Sequence, residues 1–364
     1  MYFWHNGLSQ FSIKHGAPLL TFTPKERLLA RLNIFPVPIH DVFVAPLLGH
    51  VLATAIRLNI FENLAEPRSP EELAGISNIH SKASILLLSY LSASGYVKKI
   101  DGRFALKPAA KKWLLKNSEH YIGNFVRYVE LLYSHWLYLE ETLGSGKPPA
   151  KYTETFGEEQ WKIYVYGMMD LARITFPHIA TKMRLPDNAE NFLDLAGSHG
   201  YYSIKLCQHY PGLRATILDL PPALHFAQRI LKEHRGADRV SLEPGNILEN
   251  SAFANKQDLF DAALAANIVH GLTPDENRLF LANASFSIKR GGLLYILDQF
   301  INKAGSNLEQ FVPLSVGINL MNEVGGSVYT LDELREWCGE AGFPNLRVYR
   351  LRLPGVFLIR LKKT

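Results

Sequence analysis

Asn191-Phe-Leu-Asp-Leu-Ala-Gly-Ser-His-Gly-Tyr-Tyr-Ser-Ile-Lys-Leu206 decides the fold: an apolar strand runs into a glycine turn and directly into a helix. Gly197 and Gly200 allow a sharp bend and a close backbone approach, and a helix starting there offers unpaired N–H groups to a ligand. The acidic run Ile217-Leu-Asp219 follows about 20 residues later, where a carboxylate can hold both hydroxyls of a ribose. The pattern is Ala196-Gly197-Ser198-His199-Gly200 and lacks the full G-x-G-x-x-G, so alone it serves equally well as a structural turn.

Periodicity downstream favours a cofactor site. Apolar runs recur at Arg214 to Leu220, Arg239 to Leu242, Leu259 to Ile268 and Leu293 to Phe300, with helices beginning near Pro221 and Pro274. That alternation predicts a Rossmann-like α/β domain with a mostly parallel sheet from about residue 186. After a helix from Leu331 to Ala341, with Thr330 as N-cap and Gly342 as stop, the strands Asn345 to Leu351 and Gly355 to Leu361 are joined only by Arg352-Leu-Pro354. So short a link requires an antiparallel hairpin. An adenosine-cofactor sheet closed by such a hairpin separates the class I methyltransferases from the dehydrogenases.

With these segments in place the chain resembles the small-molecule O-methyltransferases of the plant caffeate and hydroxyindole type and their bacterial relatives. The likeness runs from about Pro36 to the end, through Leu193-Asp-Leu-Ala-Gly-Ser-His-Gly200, Asp219-Leu-Pro221, Gly245-Asn-Ile247, Ile268-Val-His270 with Asp275-Glu276, and Gly325-Gly326 before Thr330. It implies S-adenosyl-L-methionine as cofactor, a seven-stranded sheet with the reversed last strand, and a homodimer formed through the N-terminal domain. By the same resemblance Asp194, Ala196, Gly197, Gly200, Asp219, Leu220, Asn246, Ile247 and Asn267 face the cofactor, and Arg173 holds its carboxylate. Trp136, Met168, Met169, Asn322 and Glu323 are implied to line the acceptor pocket, and His270 to be the general base.

Histidine suits that role, because a phenol with a pKa near 10 is best relieved of its proton by a base of near-neutral pKa. His270 is expected at the carboxyl end of the strand Leu259 to Ile268, the edge where ligands of such sheets bind. A surface histidine at a strand end is the plain alternative. The chain departs from the family in having Gly271 where relatives have aspartate and Val328 where many have glutamate, which removes the usual carboxylate partners of the imidazole. Glu323 or Asp298 could substitute. His199 also brings a side chain into the loop.

At 364 residues, 47% hydrophobic and 20% charged, the chain has the size and composition of two globular domains. The expected divisions are an N-terminal arm over 1–35, a winged-helix dimerisation domain over 36–115, bridging helices over 116–185 and the cofactor domain over 186–364. The winged helix is read from the apolar helix Val42 to Leu58, a helix start at Ser69-Pro70-Glu71-Glu72, the helix Lys82 to Ser94, and a wing of Tyr96 to Ile100 and Arg103 to Leu106. Its would-be recognition helix has one lysine and no arginine, asparagine or glutamine, which argues against nucleic acid. The aromatic helices Tyr121 to Leu143 and Gln160 to Met183 read as core, with a few rings over the pocket.

Two cysteines without metal spacing, a net charge of +5, and no long apolar run or leader point to a cytoplasmic protein with neither metal nor membrane. Three functional readings stay open. They are methyl transfer to a hydroxyl of an aromatic or polyketide-like molecule, a cofactor-binding relative that methylates carbon or does other chemistry, and a catalytically silent binding or regulatory protein.

Overall fold

The computed structural model describes Leu32, Ile34, residues 37–302 and residues 304–364. Apart from Leu32 and Ile34, the arm expected over 1–35 lies outside the described residues. Two compact units divide the chain, residues 1–130 and 131–364, so most of the predicted bridging region groups with the cofactor domain.

The first unit is helical with one hairpin. A short π-helical segment His40–Val44 precedes the helix Ala45–Arg57, whose Arg57 pairs with Glu130. Ser69 and Glu72 form a reciprocal capping box that starts the helix Pro70–Ser77, and the helix Ser81–Ala93 follows a turn in which Asn78 is left-handed. Strands β1 (Val97–Ile100) and β2 (Arg103–Leu106) pair antiparallel around Asp101 and Gly102, both at positive φ as a two-residue hairpin turn requires. Phe61, Leu73, Leu88, Leu91, Val97 and Phe104 close the core of this unit.

The second unit is built on β3 (Asn191–Leu195), β4 (Arg214–Asp219), β5 (Val240–Pro244), β6 (Phe260–Ala266), β7 (Ile288–Ile301), β8 (Tyr329–Thr330), β9 (Leu346–Arg350) and β10 (Val356–Lys362). The strand order is β5-β4-β3-β6-β7-β10-β9, with the two-residue β8 attached to β7 as an eighth strand. Strands β3 to β7 are parallel, and β10 inserts antiparallel between β7 and β9, with Leu358 opposite both Leu297 and Tyr349. The reversed hairpin is therefore present, one residue shorter at each joint than the apolar pattern suggests. Both faces of the sheet are covered, by one cluster that includes Phe253, Phe280, Trp337 and Phe343 and another that includes Ile179, Met183, Tyr202 and Leu213. That double burial is why the strands read as continuous apolar runs.

Three local features differ from the sequence expectation. The helix expected over Tyr121 to Leu143 is interrupted: Gly123–His135 ends, a 3₁₀ turn spans Trp136–Tyr138, and Leu139–Ser145 resumes. The helix Glu158–Ile179 is continuous, but it starts earlier and stops sooner than Gln160 to Met183. An unexpected helix, Asn307–Val324, begins with a Ser306–Glu309 capping box, contains Pro313 and ends at left-handed Gly325. Among the described residues no helix is long and apolar enough to cross a membrane.

Candidate active site

The glycine loop after β3 is forced into shape by close approach. A Cβ on Gly197 would sit 2.4 Å from the Asp194 carboxyl carbon, and one on Gly200 would sit 2.6 Å from Ile217 Cδ1, with Gly200 at φ +66°. Ala196 and Ser198 also take positive φ, and the Ala196 N–H donates to Leu218 O at 2.8 Å, fastening the loop to β4. Asp194 is fully buried under this bend. Its Oδ2 accepts from the Ser203 hydroxyl at 2.6 Å, whereas Oδ1 has no hydrogen-bond partner. Burial pushes its carboxyl up to about 7 against the pull of Ser203.

Asp219 stands at the end of β4 and braces two turns at once. Its Oδ2 accepts the Ser198 N–H at 2.7 Å and its Oδ1 the Leu220 N–H at 2.6 Å. Each oxygen keeps a second lone-pair direction for a ligand hydroxyl. Burial pushes this carboxyl up to about 6, opposed by the same two N–H groups.

The helix after the loop offers less than the sequence suggests. His199 turns back on it, its Nδ1 accepting the Tyr201 N–H at 3.0 Å and its ring resting on Tyr202, so one of the first free donors is already capped. Burial, reinforced by the Arg173 cation, holds the His199 imidazole down to about 3, which keeps it neutral.

On the adenine side expected from Gly245-Asn-Ile247, Asn246 Oδ1 accepts the Leu248 N–H at 3.0 Å and closes a tight turn. The Ile247 carbonyl is held by Asn283 Nδ2 at 3.1 Å, and its side chain packs in the main core. Asn267, at φ +58°, ends β6 and donates its N–H to Leu297 O at 2.8 Å.

That break moves His270. It does not end the strand as expected, because left-handed Asn267 stops β6 at Ala266, and His270 instead occupies the 3₁₀ turn Val269–Gly271. The turn is tied down on several sides. Asn277 Nδ2 donates to the carbonyls of Val269, Leu272 and Thr273, the Tyr329 hydroxyl donates to Leu272 O at 2.6 Å, and the Ser327 N–H donates to His270 O at 2.9 Å. Gly326 packs so closely that its Cβ would fall 2.2 Å from His270 O.

The carboxylate beside the imidazole is Asp298, on β7. His270 Nδ1 lies 2.5 Å from Asp298 Oδ1 without the alignment of a hydrogen bond, a contact that carries charge on both sides only when the imidazole is protonated. Asp298 Oδ1 also accepts the Gln299 N–H at 2.7 Å, and Oδ2 lies 3.4 Å from the His270 N–H. Of the two carboxylates considered as stand-ins for those missing at Gly271 and Val328, Asp298 is the one beside the imidazole. Val328 is buried against Gly317.

The helix Glu158–Ile179 brings Arg173 to the glycine loop. Its guanidinium lies 3.5 Å from the fully buried Asp170 and 4.0 Å from Met169 Sδ. Met169 itself is core, packed with Trp161, Val165, Ile204 and Phe226, so of the two methionines only Met168 is partly open. Trp136 donates its indole N–H to Asn319 Oδ1 at 2.7 Å, and Asn319 Nδ2 donates to Glu323 Oε1 at 2.8 Å. Asn322 is engaged at both ends, accepting from the Thr142 hydroxyl and donating to His135 O, each at 2.7 Å. Asn322 thereby joins Asn307–Val324 to the helices around Trp136 and has little left for an acceptor.

Residues 136–344, more than half of the chain, match the family described as an O-methyltransferase domain. The chain belongs to the O-methyltransferase family. Its relatives include the 3-hydroxy-5-methyl-1-naphthoate 3-O-methyltransferase of Streptomyces sahachiroi, 24% identical over 312 residues, which are 84% of this chain and 88% of the relative. The L-tyrosine C(3)-methyltransferase of Streptomyces lavendulae is 24% identical over 323 residues, 84% of this chain and 86% of its own length. Human N-acetylserotonin methyltransferase, solved in complex with SAM, shares the fold at a TM-score of 0.77 and 17% identity, covering 94% of this chain and 99% of that one.

One feature of this O-methyltransferase was hard to reach from local sequence signals. The helix Asn307–Val324 hides behind Pro313 and is apolar on several sides, so no 3.6-residue stripe marks it. Its Ser306–Glu309 capping box is the one signal that could have found it.

Proposed function

We propose that this enzyme transfers the methyl group of S-adenosyl-L-methionine to a hydroxyl of a small aromatic or polyketide-like molecule, with His270 as general base. The observation that carries the reading is the pairing of His270 with Asp298 on the sheet edge that also holds the Asp219-braced glycine loop. The residues present fit the cofactor: Gly197 and Gly200 let the loop press onto Asp194 and Ile217 where no side chain could be added, and two buried polar atoms beside it, Asp194 Oδ1 and Ser198 Oγ, lack hydrogen-bond partners among the described residues. Asp219 and Leu220 would hold the ribose side, Asn246, Ile247 and Asn267 the adenine side, and Arg173 the carboxylate. When bound, the cofactor supplies an already activated sulfonium methyl.

The chain's own task is then orientation and proton removal. With Nδ1 turned to Asp298, the Nε2 of His270 is the nitrogen left to take the acceptor's proton. The Asp298 carboxylate beside the ring would stabilise the imidazolium that forms. Met168, Trp136 and Glu323 are the proposed acceptor contacts that keep some open surface or connect to it.

A winged-helix domain over 36–115 would serve dimerisation. Ile39, Val42 and Phe43 lie exposed within that stretch, and a second copy would bury them. Soluble cytoplasmic residence completes the reading.

Carbon methylation is the second reading, supported by the tyrosine C(3)-methyltransferase among the relatives. It needs the same base, because an ortho carbon is made nucleophilic by ionising the phenol. The test is titration with S-adenosylmethionine by calorimetry, then a panel of phenols with wild type and His270→Ala, with products located by mass spectrometry and NMR. Absence of cofactor binding sinks both readings, methyl on carbon sinks the first, and unchanged turnover in the variant removes His270 from its role.

A further inference from the structure

Ser198 carries two costs that a glycine in its place would avoid. Its backbone is left-handed at φ +42°, and the residue is 7% exposed with an Oγ that has no hydrogen-bond partner among the described residues. A buried hydroxyl left unpaired and a non-glycine residue in this region are each disfavoured, and such strain concentrates where a ligand completes the site. The Ser198 N–H is fastened to Asp219 Oδ2 at 2.7 Å, which places the residue beside the carboxylate proposed to take the ribose hydroxyls. The next residue, His199, turns away onto Tyr201 and Tyr202, so it does not cover the loop on this side.

We infer that the Ser198 hydroxyl is a cofactor-positioning group that hydrogen-bonds the ribose of the adenosyl moiety, alongside Asp219. The inference rests on the proposed cofactor reading and adds to it a side chain whose cost in the free protein is repaid by the nucleoside. A ribose suits this partner, since its hydroxyls donate and accept and its ring oxygen accepts, as a serine hydroxyl can match in either sense.

The test uses the full chain and two probes, S-adenosylhomocysteine and 5′-methylthioadenosine, the second having the nucleoside but no amino-acid group. Wild type binding S-adenosylhomocysteine establishes the underlying reading, and no binding at all removes it together with this inference. Ser198→Gly and Ser198→Ala are expected to weaken both probes by roughly tenfold in calorimetric Kd. Over the same comparison the ligand-free melting temperature of Ser198→Gly is expected to equal or exceed that of wild type, because the glycine relieves the left-handed backbone. A purely structural serine would not move affinity and stability in opposite directions. Affinity for S-adenosylhomocysteine within twofold of wild type in both variants overturns the inference. So does a loss confined to S-adenosylhomocysteine with 5′-methylthioadenosine unchanged, since that would put the contact on the amino-acid part.

Discussion

His270 and Asp298 face each other at 2.5 Å from two different elements, a 3₁₀ turn after β6 and the buried end of β7. Asp298 is fully buried and the imidazole nearly so, and that screens the pair from water and strengthens its coupling. His270→Ala is expected to lower kcat by about 10² to 10⁴ with cofactor affinity unchanged, the range for a lost general base. Asp298→Asn keeps the shape but removes the charge, and a loss in kcat on the order of tenfold or more is expected. Steady-state kinetics would show it. An unchanged kcat would mean Asp298 only packs.

Protonation of the two buried carboxyls works in opposite senses on stability and on ligand affinity. Asp194 and Asp219 have folded-state values raised to about 7 and about 6, both mainly by burial, so the folded state holds protons that the unfolded chain has released. Their contribution to stability is therefore full below the ordinary carboxylate range and is lost as pH rises through about 6 to 7. The ligand-free protein is expected to melt at a lower temperature at pH 7.5 than at pH 5.5. With Asp219 in its proposed role at the ribose, the cofactor Kd should rise about tenfold per pH unit below about 6, a dependence that Asp219→Asn abolishes while weakening binding throughout. Calorimetric titrations at four pH values separate the two trends.

Gly326 is the least replaceable glycine near His270. A Cβ there would meet His270 O at 2.2 Å and the Gly271 backbone at 2.8 to 2.9 Å, atoms that cannot rotate away. Gly326→Ala is expected to cost about 1–3 kcal/mol by overpacking and to lower kcat further by displacing the His270 turn. Chemical denaturation and kcat measured on the same sample check both. A variant with normal kcat would show that the turn has room to shift.

The sheet was legible in the sequence because strands covered on both faces leave uninterrupted apolar runs, and because Arg352-Leu-Pro354 is too short for anything but a reversal. The glycine turn was legible for a similar reason: Gly197 and Gly200 are needed where side chains of Asp194 and Ile217 press on the backbone. The setting of His270 was harder. No strand-propensity rule shows that Asn267 turns left-handed and moves His270 off the strand, and its pairing with Asp298 depends on the parallel register of β6 and β7, a long-range fact. The acceptor side was least readable, since Asn322 and Met169 have polar or soft side chains that suit a pocket yet are engaged in joining helices and filling core.

Arg239 holds the far end of the helix that follows the glycine loop. Its guanidinium donates to four carbonyls, Cys207 at 2.5 Å, Tyr210 at 3.0 Å, Pro211 at 2.9 Å and Leu213 at 3.1 Å, so it closes the C-terminus of Tyr201–His209 and the turn into β4. These are charge-assisted bonds to carbonyls at a helix end, of which Tyr210 O also accepts the Leu213 N–H at 3.1 Å. Arg239→Ala is expected to destabilise the protein by about 2–4 kcal/mol, the loss of a charged donor with carbonyls left behind. Arg239→Lys should recover only part of that, because a single ammonium cannot reach four acceptors spread over seven residues. Urea midpoints of the three proteins decide the matter. A cost below about 0.5 kcal/mol for Arg239→Ala would show that water replaces the guanidinium at these carbonyls without penalty.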